Sequence, residues 1–222
     1  MRGHYGLPNI YRLIHCTCRK DTQVVSLVTS LEKWEEFKNR FTKITSVQQY
    51  TQLIMELTWE YLQPKLEEHY GAKIKLWYFL GPYIGNNTVY AYSVKLFDTP
   101  LFRSVDAHQG NTEDKFASMV SGYIRNLSGK GPERVTVSIL DNCYMAVCVS
   151  GLLPQYIKNY ACSNNDAYFY IQNMMESLLN SAVDYAFQSE YQFVPEKFTE
   201  VDFKHNHIIT LAIIRPIADT VL

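Results

Sequence analysis

The residues best suited to hold a charged ligand lie in one short run, Gly129-Lys130-Gly131-Pro132-Glu133-Arg134. Lys130 and Arg134 place two positive charges beside glycine backbone, whose N–H groups are unhindered, and such an arrangement can cradle a small anion such as bicarbonate or phosphate. It is not a phosphate loop, because the Gly-x-x-x-x-Gly-Lys-Ser/Thr spacing is missing. A plain structural role accounts for the same residues, since Gly129 suits a left-handed helix cap and Pro132 stops a helix from continuing. Gly129, Lys130, Gly131 and Arg134 form the candidate ligand-binding set.

Other reactive side chains fall short of a signature. His15-Cys16-Thr17-Cys18 invites a metal, but on a strand Cys16 and Cys18 face one way and His15 the other, so only two ligands point together where zinc wants three or four. His205-Asn206-His207 sits at an expected hairpin tip and reads as exposed. Ser150, Cys148 and Cys162 are nucleophiles by type, yet none has a glycine-flanked elbow or a His-Asp partner that sequence alone supplies. Glu56 and Glu176 repeat at equivalent helical positions, and a helix surface is the default place for them. No catalytic set, metal site or cofactor is expected.

The elements that would position these groups begin with composition. A chain of 222 residues that is 47% hydrophobic and 19% charged can bury a sizeable core. Lysine plus arginine (21) nearly balances aspartate plus glutamate (22), so the footprint of a nucleic-acid binder is missing. No apolar run reaches the 18 or so residues of a membrane span, and the stretch after Met1 has no apolar core of a secretory signal; direct membrane insertion is not expected, and the cytoplasm is the expected location. The five cysteines are odd in number and sit among apolar residues, which reads as reduced thiols used as small hydrophobes.

A period of 120 residues organises the chain. Lys38-Asn39 recurs as Lys158-Asn159, Gln52, Met55 and Glu56 as Gln172, Met175 and Glu176, and Tyr50 as Tyr170. Each copy reads as hairpin, short helix, long helix, hairpin. In the first, Ile10 to Cys18 and Thr22 to Ser30 flank a polar turn, Lys33 to Phe41 is a short helix, a long helix starts at Ser46, and strands at Lys73 to Leu80 and Thr88 to Phe97 bracket a loop from Gly81 to Asn87. In the second, Arg134 to Leu140 and Cys143 to Ser150 flank Asp141-Asn142, residues that tolerate the positive φ of tight turns. Helices follow at Gln155 to Cys162 and from Asp166, then strands at Phe198 to Phe203 and Ile208 to Ile214. A polar linker, Asp106 to Glu113, precedes a helix from Asp114 to Leu127. The expected fold is α+β: two tandem ββααββ modules, residues 1–100 and 101–222, with antiparallel sheets, helices on one face and a pseudo-twofold arrangement.

From Asp114 to Pro216 the order of helix, Ser128-Gly129-Lys130-Gly131-Pro132-Glu133-Arg134-Val135, apolar hairpin with an acidic turn, Gly151-Leu152-Leu153-Pro154, long helix and final hairpin resembles MpsC-type proteins. That family is associated with sodium-translocating, membrane-potential-generating systems tied to inorganic-carbon uptake. Where the family usually has threonine-proline followed shortly by glutamate, this chain has Leu153-Pro154-Gln155-Tyr156, and the first copy lacks both the glycine-rich junction and the leading helix. The resemblance implies a non-enzymatic cytoplasmic accessory or regulatory protein with a membrane transporter subunit as partner. A small-molecule or anion sensor and an enzyme of unassigned class are the alternatives, and a homodimer is an open option.

Overall fold

The structure, a computed structural model, describes residues 12–19, 22–40, 63–85, 87–98 and 107–214. The chain divides into two compact units, Met1–Arg103 and Ser104–Leu222, each built on a four-stranded antiparallel sheet in a mixed α+β fold. In the first unit β1 (Arg12–Arg19), β2 (Thr22–Ser30) and α1 (Leu31–Arg40) lead. Helix α2, described over residues 63–70, then precedes β3 (Ile74–Gly85) and β4 (Thr88–Phe97), and the sheet order is β1-β2-β4-β3. The expected helix start at Ser46 and the residue Glu56 lie outside the described residues.

In the second unit α3 (Ala107–Ser128) leads into β5 (Arg134–Leu140) and β6 (Tyr144–Ser150). Helices α4 (Gln155–Ser163) and α5 (Asn165–Tyr191) follow, then β7 (Glu196–Asp202) and β8 (His207–Ile213), in sheet order β5-β6-β8-β7. Helix α5 starts where the Asn164 side chain accepts from the Ala167 N–H at 3.1 Å, and it ends at Gln192, which adopts a left-handed φ of 58°. Its buried residues Ile171, Met175, Leu179, Ala182 and Ala186 recur at three-to-four spacing. They meet Phe116, Val120 and Ile124 of α3 and alternate residues of the sheet, Val137 and Ile139, Met145, Val147 and Val149, Val201, Ile208 and Ala212. Alternation of that kind marks one sheet face, so the helices share it. Burying each large side chain contributes about 1.5–3 kcal/mol.

Two expected boundaries are corrected. The segment taken as a polar linker is largely helix, because α3 starts at Ala107. Its polar composition hid an anchor: Glu113 is 2% exposed and its Oε1 accepts the Ile139 N–H at 2.8 Å. Strand β5 is the outer strand of its sheet, and this carboxylate satisfies a donor that the edge leaves without a ladder partner. Glu113→Ala is expected to cost about 2 kcal/mol in denaturant unfolding, the penalty for a buried N–H left unmet, while Glu113→Gln, which keeps an acceptor, costs less than half of that.

The loop expected from Gly81 is instead strand, since β3 runs on to Gly85. The ladder slips between Leu80 and Tyr83, where Gly81 takes a φ of 117°. Proline and glycine are tolerated there because β3 is an edge strand and the extra residue bulges out.

The strand order is the same in both units, but no constant offset of 120 relates them. Leu27 pairs with Ala91, so a uniform shift would set Val147 opposite Leu211; Val147 pairs with Thr210. Matching the turn-closing pairs, Arg19 with Thr22 and Leu140 with Tyr144, gives shifts of 140 − 19 = 121 and 144 − 22 = 122. Leu96 and Ile213, the partners of Thr22 and Tyr144, are 213 − 96 = 117 apart. The first hairpin closes over two residues. The second spends three, Asp141, Asn142 and Cys143, with φ of 50° at Asp141 and 54° at Asn142, the positive values expected of that turn.

Candidate functional site

At the glycine-rich junction the backbone behaves as a helix cap. Gly129 has φ 71° and its N–H donates to the Arg125 carbonyl at 3.0 Å, closing the last turn of α3. Ser128 Oγ donates to the carbonyl of Ile124 at 2.7 Å and lies 2.6 Å from that of Lys130. A Cβ on Gly131 would come within 3.0 Å of the Arg125 guanidinium, so that cation lies against the junction too. Lys130 and Arg134 are exposed. No atom lies within 4 Å of a Cβ built on Gly129, so Gly129→Ala is expected to cost only the left-handed backbone penalty of about 1 kcal/mol in thermal or denaturant melts.

Strand register then brings Arg134 to a set that sequence could not assemble. Arg134 pairs with Ser150, Ser150 with His207, and His207 with Asp202, so the four stand in one row across the sheet. Directly opposed residues share a face, with Cβ atoms about 4.5–5.5 Å apart. In the next row Cys148 pairs with Ile209 and Ile209 with Glu200. Ser150 Oγ donates to the Arg134 carbonyl at 3.5 Å, and Asp202 Oδ2 lies 2.6 Å from Nδ1 of His205. Serine and aspartate therefore have partners other than the histidine between them. The row offers a cation, a hydroxyl and an imidazole to a small anion.

One carboxyl beside this row is tuned. Burial, helped by the negative charges of Glu176 and Asp202, pushes the Glu200 carboxyl up to about 7. Glu176 lies on α5, where it accepts from Gln172 Nε2 at 2.8 Å. Tyr168 is raised from 10.0 by burial first and then by the charges of Glu200, Cys162, Asp202 and Glu176. Its ring lies 4.7 Å from that of Phe203. Asn206, with φ 55°, fixes the β7–β8 turn: its side chain donates to the Leu153 carbonyl at 2.8 Å and accepts from the Leu153 N–H at 3.1 Å, while its own carbonyl accepts from Gly151.

The first unit carries a polar row of its own. Gln23 pairs with Lys95 and Lys95 with Trp77, and Lys95 is only 4% exposed. The Lys95 ammonium donates to Ser93 Oγ at 3.0 Å and lies 4.7 Å from the centroid of the Trp77 ring, a cation–π contact. Trp77 Nε1 also donates to Ser93 Oγ, and Gln23 Nε2 donates to Tyr70 of α2 at 2.6 Å. The topological counterparts of Gln23 and Lys95 in the second unit are Met145 and Ala212, both fully buried. At those two positions the second unit has apolar core where the first has polar groups, and the third member of its row is Lys197, ion-paired with Asp184.

Among the described residues no group of three or more His, Cys, Asp or Glu is arranged to hold a metal ion. Cys16, Cys143, Cys148 and Cys162 are free thiols, but Cys16 and Cys162 are exposed, so the reading of these cysteines as core hydrophobes fails for those two. Cys16 comes after a register break between Leu13 and His15, which shifts the simple alternation expected for β1. No helix of the described residues is long and apolar enough to cross a membrane. No protein-family model, curated protein or solved structure matches the chain.

Proposed function

We propose that this chain is a non-enzymatic accessory or regulatory protein of two tandem, like modules that serves an ion-translocating, inorganic-carbon uptake system, with a membrane transporter subunit as its cytoplasmic partner. The MpsC-like order of elements around Gly129 to Pro132 motivates the system. The observation that carries a regulatory role is Glu200, a carboxyl held near 7 beside the Arg134–Ser150–His207–Asp202 row. Hydration of carbon dioxide yields bicarbonate and a proton, so a protein attending to inorganic carbon is well served by a group whose charge changes near neutrality. Affinity capture of the tagged chain from native lysate at pH values on either side of 7 tests this. Recovery of membrane transporter subunits in a pH-dependent amount, with the dependence lost in Glu200→Gln, supports the reading; recovery of soluble proteins alone sinks it.

A second reading, an anion sensor, is favoured by Arg134 and His207 flanking Ser150, with Lys130 and Arg125 on the adjoining junction. Bicarbonate or phosphate at about a hundred times its dissociation constant stabilises a native binder by about 2.7 kcal/mol, which appears as a raised melting temperature. The shift should vanish in Arg134→Ala and shrink in Lys130→Ala, and chloride at equal ionic strength should not reproduce it. A melting temperature indifferent to both anions excludes the sensor.

A further inference from the structure

The β7–β8 turn places two imidazoles side by side. His205 sits on the turn and His207 opens β8, and their ring centroids are 6.4 Å apart. Two rings that share one metal ion through a nitrogen each, at about 2.0–2.1 Å, have centroids about 4.5–6.5 Å apart, so this pair stands within reach of a single ion. Asp202 and His207 are directly opposed in the β7–β8 ladder and share one face of the sheet.

Asp202 decides which nitrogen of His205 faces outward. Its Oδ1 accepts the His205 backbone N–H at 3.1 Å, and its Oδ2 lies 2.6 Å from Nδ1 of the same ring. A carboxylate only accepts, so the proton rests on Nδ1 and the lone pair of the neutral ring is on Nε2. In metal sites a carboxylate orients a ligating histidine in this way and makes it more basic. With both oxygens engaged, Asp202 is a positioning residue and not a ligand. The turn is fixed on its other side by Asn206, which holds φ 55° and makes two hydrogen bonds to Leu153. Charge does not oppose a cation here. The Glu133 side chain fills the space that a Cβ on Gly151 would take, and the Gly151 N–H donates to the Asn206 carbonyl at 3.1 Å, so a carboxylate stands beside the turn. Arg134 lies two strands from His207 along the row, about 10 Å away.

We propose that His205 and His207 form a binding site for a divalent late first-row metal ion, Zn²⁺, Ni²⁺ or Cu²⁺, with Nε2 of His205 and one ring nitrogen of His207 as the protein ligands. Imidazole suits these ions, whereas Mg²⁺ and Ca²⁺ demand oxygen. Two protein ligands are fewer than the three of a catalytic zinc centre, so water completes the coordination and the ion exchanges with solution. Of the three ions Cu²⁺ binds tightest. The site does not depend on Arg134, and so not on the anion reading above.

Titration calorimetry with Zn²⁺ at pH 8 reads the site in the full chain, with Cys16→Ser and Cys162→Ser removing the exposed thiols. His205→Ala and His207→Ala should each weaken binding about tenfold or more, and Mg²⁺ should give no heat. Asp202→Asn keeps one acceptor but turns an amide N–H toward the ring or the backbone N–H, so one of the two bonds to His205 is lost. Affinity should then fall about tenfold or more while the circular dichroism spectrum stays that of the parent. In the Cu²⁺ complex, electron paramagnetic resonance should show coupling to two ring nitrogens, reduced to one in either histidine variant. Arg134→Ala should leave the Zn²⁺ isotherm unchanged, so this proposal and the anion reading fail separately. A parent chain that takes up no Zn²⁺ below the millimolar range overturns the proposal. So does binding that survives replacement of both histidines, and full affinity in Asp202→Asn overturns the positioning role.

Discussion

Asn206→Ala is expected to lower the unfolding free energy of the second unit by about 3 kcal/mol. Asn206 makes two hydrogen bonds to Leu153, one as donor to its carbonyl and one as acceptor from its N–H. Leu153 is buried, so alanine leaves both backbone groups short of partners, at about 1 kcal/mol or more each. Asn206 also adopts φ 55°, a conformation that costs alanine about 1 kcal/mol more than asparagine. Urea midpoints at constant slope give the sum. Asn206→Gly separates the contributions, because it removes the side-chain bonds while relieving the backbone. A loss under 1 kcal/mol in the alanine variant would mean that the turn does not hold the segment before α4.

The second large effect is a pH dependence with a definite sign. In the unfolded chain a glutamate releases its proton near 4.5, whereas in the folded chain Glu200 keeps it up to about 7, first because it is buried and then because Glu176 and Asp202 repel its charge. Between those values the folded state binds the proton more tightly, so stability attributable to Glu200 falls as pH rises through the window and stays low above it. The separation corresponds to about 2–3 kcal/mol once the remaining solvent contact is allowed for. Glu200→Gln cannot ionise. It should match the parent chain near pH 5 and exceed its stability at pH 8 by most of that amount. Denaturant unfolding at a series of pH values reads this directly, and parallel curves for parent and variant across the window would remove Glu200 from any role as a proton-responsive group.

Local signals in the sequence were enough for elements with a strong period or a distinctive turn. The helical stripe ending in Ala182, the Asp141-Asn142 turn and the Gly129 cap are each settled by a few neighbouring residues. Hydrophobic patterning carried less where polar residues do structural work. Glu113 lies in a run that reads as linker because nothing in its own neighbourhood shows that a strand edge will need an acceptor. Lys95 reads as an ordinary strand residue, since its contact with the Trp77 ring depends on the register of a neighbouring strand. The row Arg134, Ser150, His207 and Asp202 is a matter of register between segments far apart in the chain, and register is decided by turn length and bulges rather than by any motif. Ser150 and the two histidines were visible as types; that one of those histidines faces the serine was not.

The unequal turns have a practical corollary for anyone who would exchange parts between the halves. A chimera that replaces β4 with β8 by adding 120 to each residue number imports the strand three places out of step, and three is odd. Side chains that belong beneath the helices would be turned outward, and Ile214 would take the station of Val94 on the opposite surface. Grafts indexed by 117 on that strand and by 122 on β2 and β6 keep inside and outside in place.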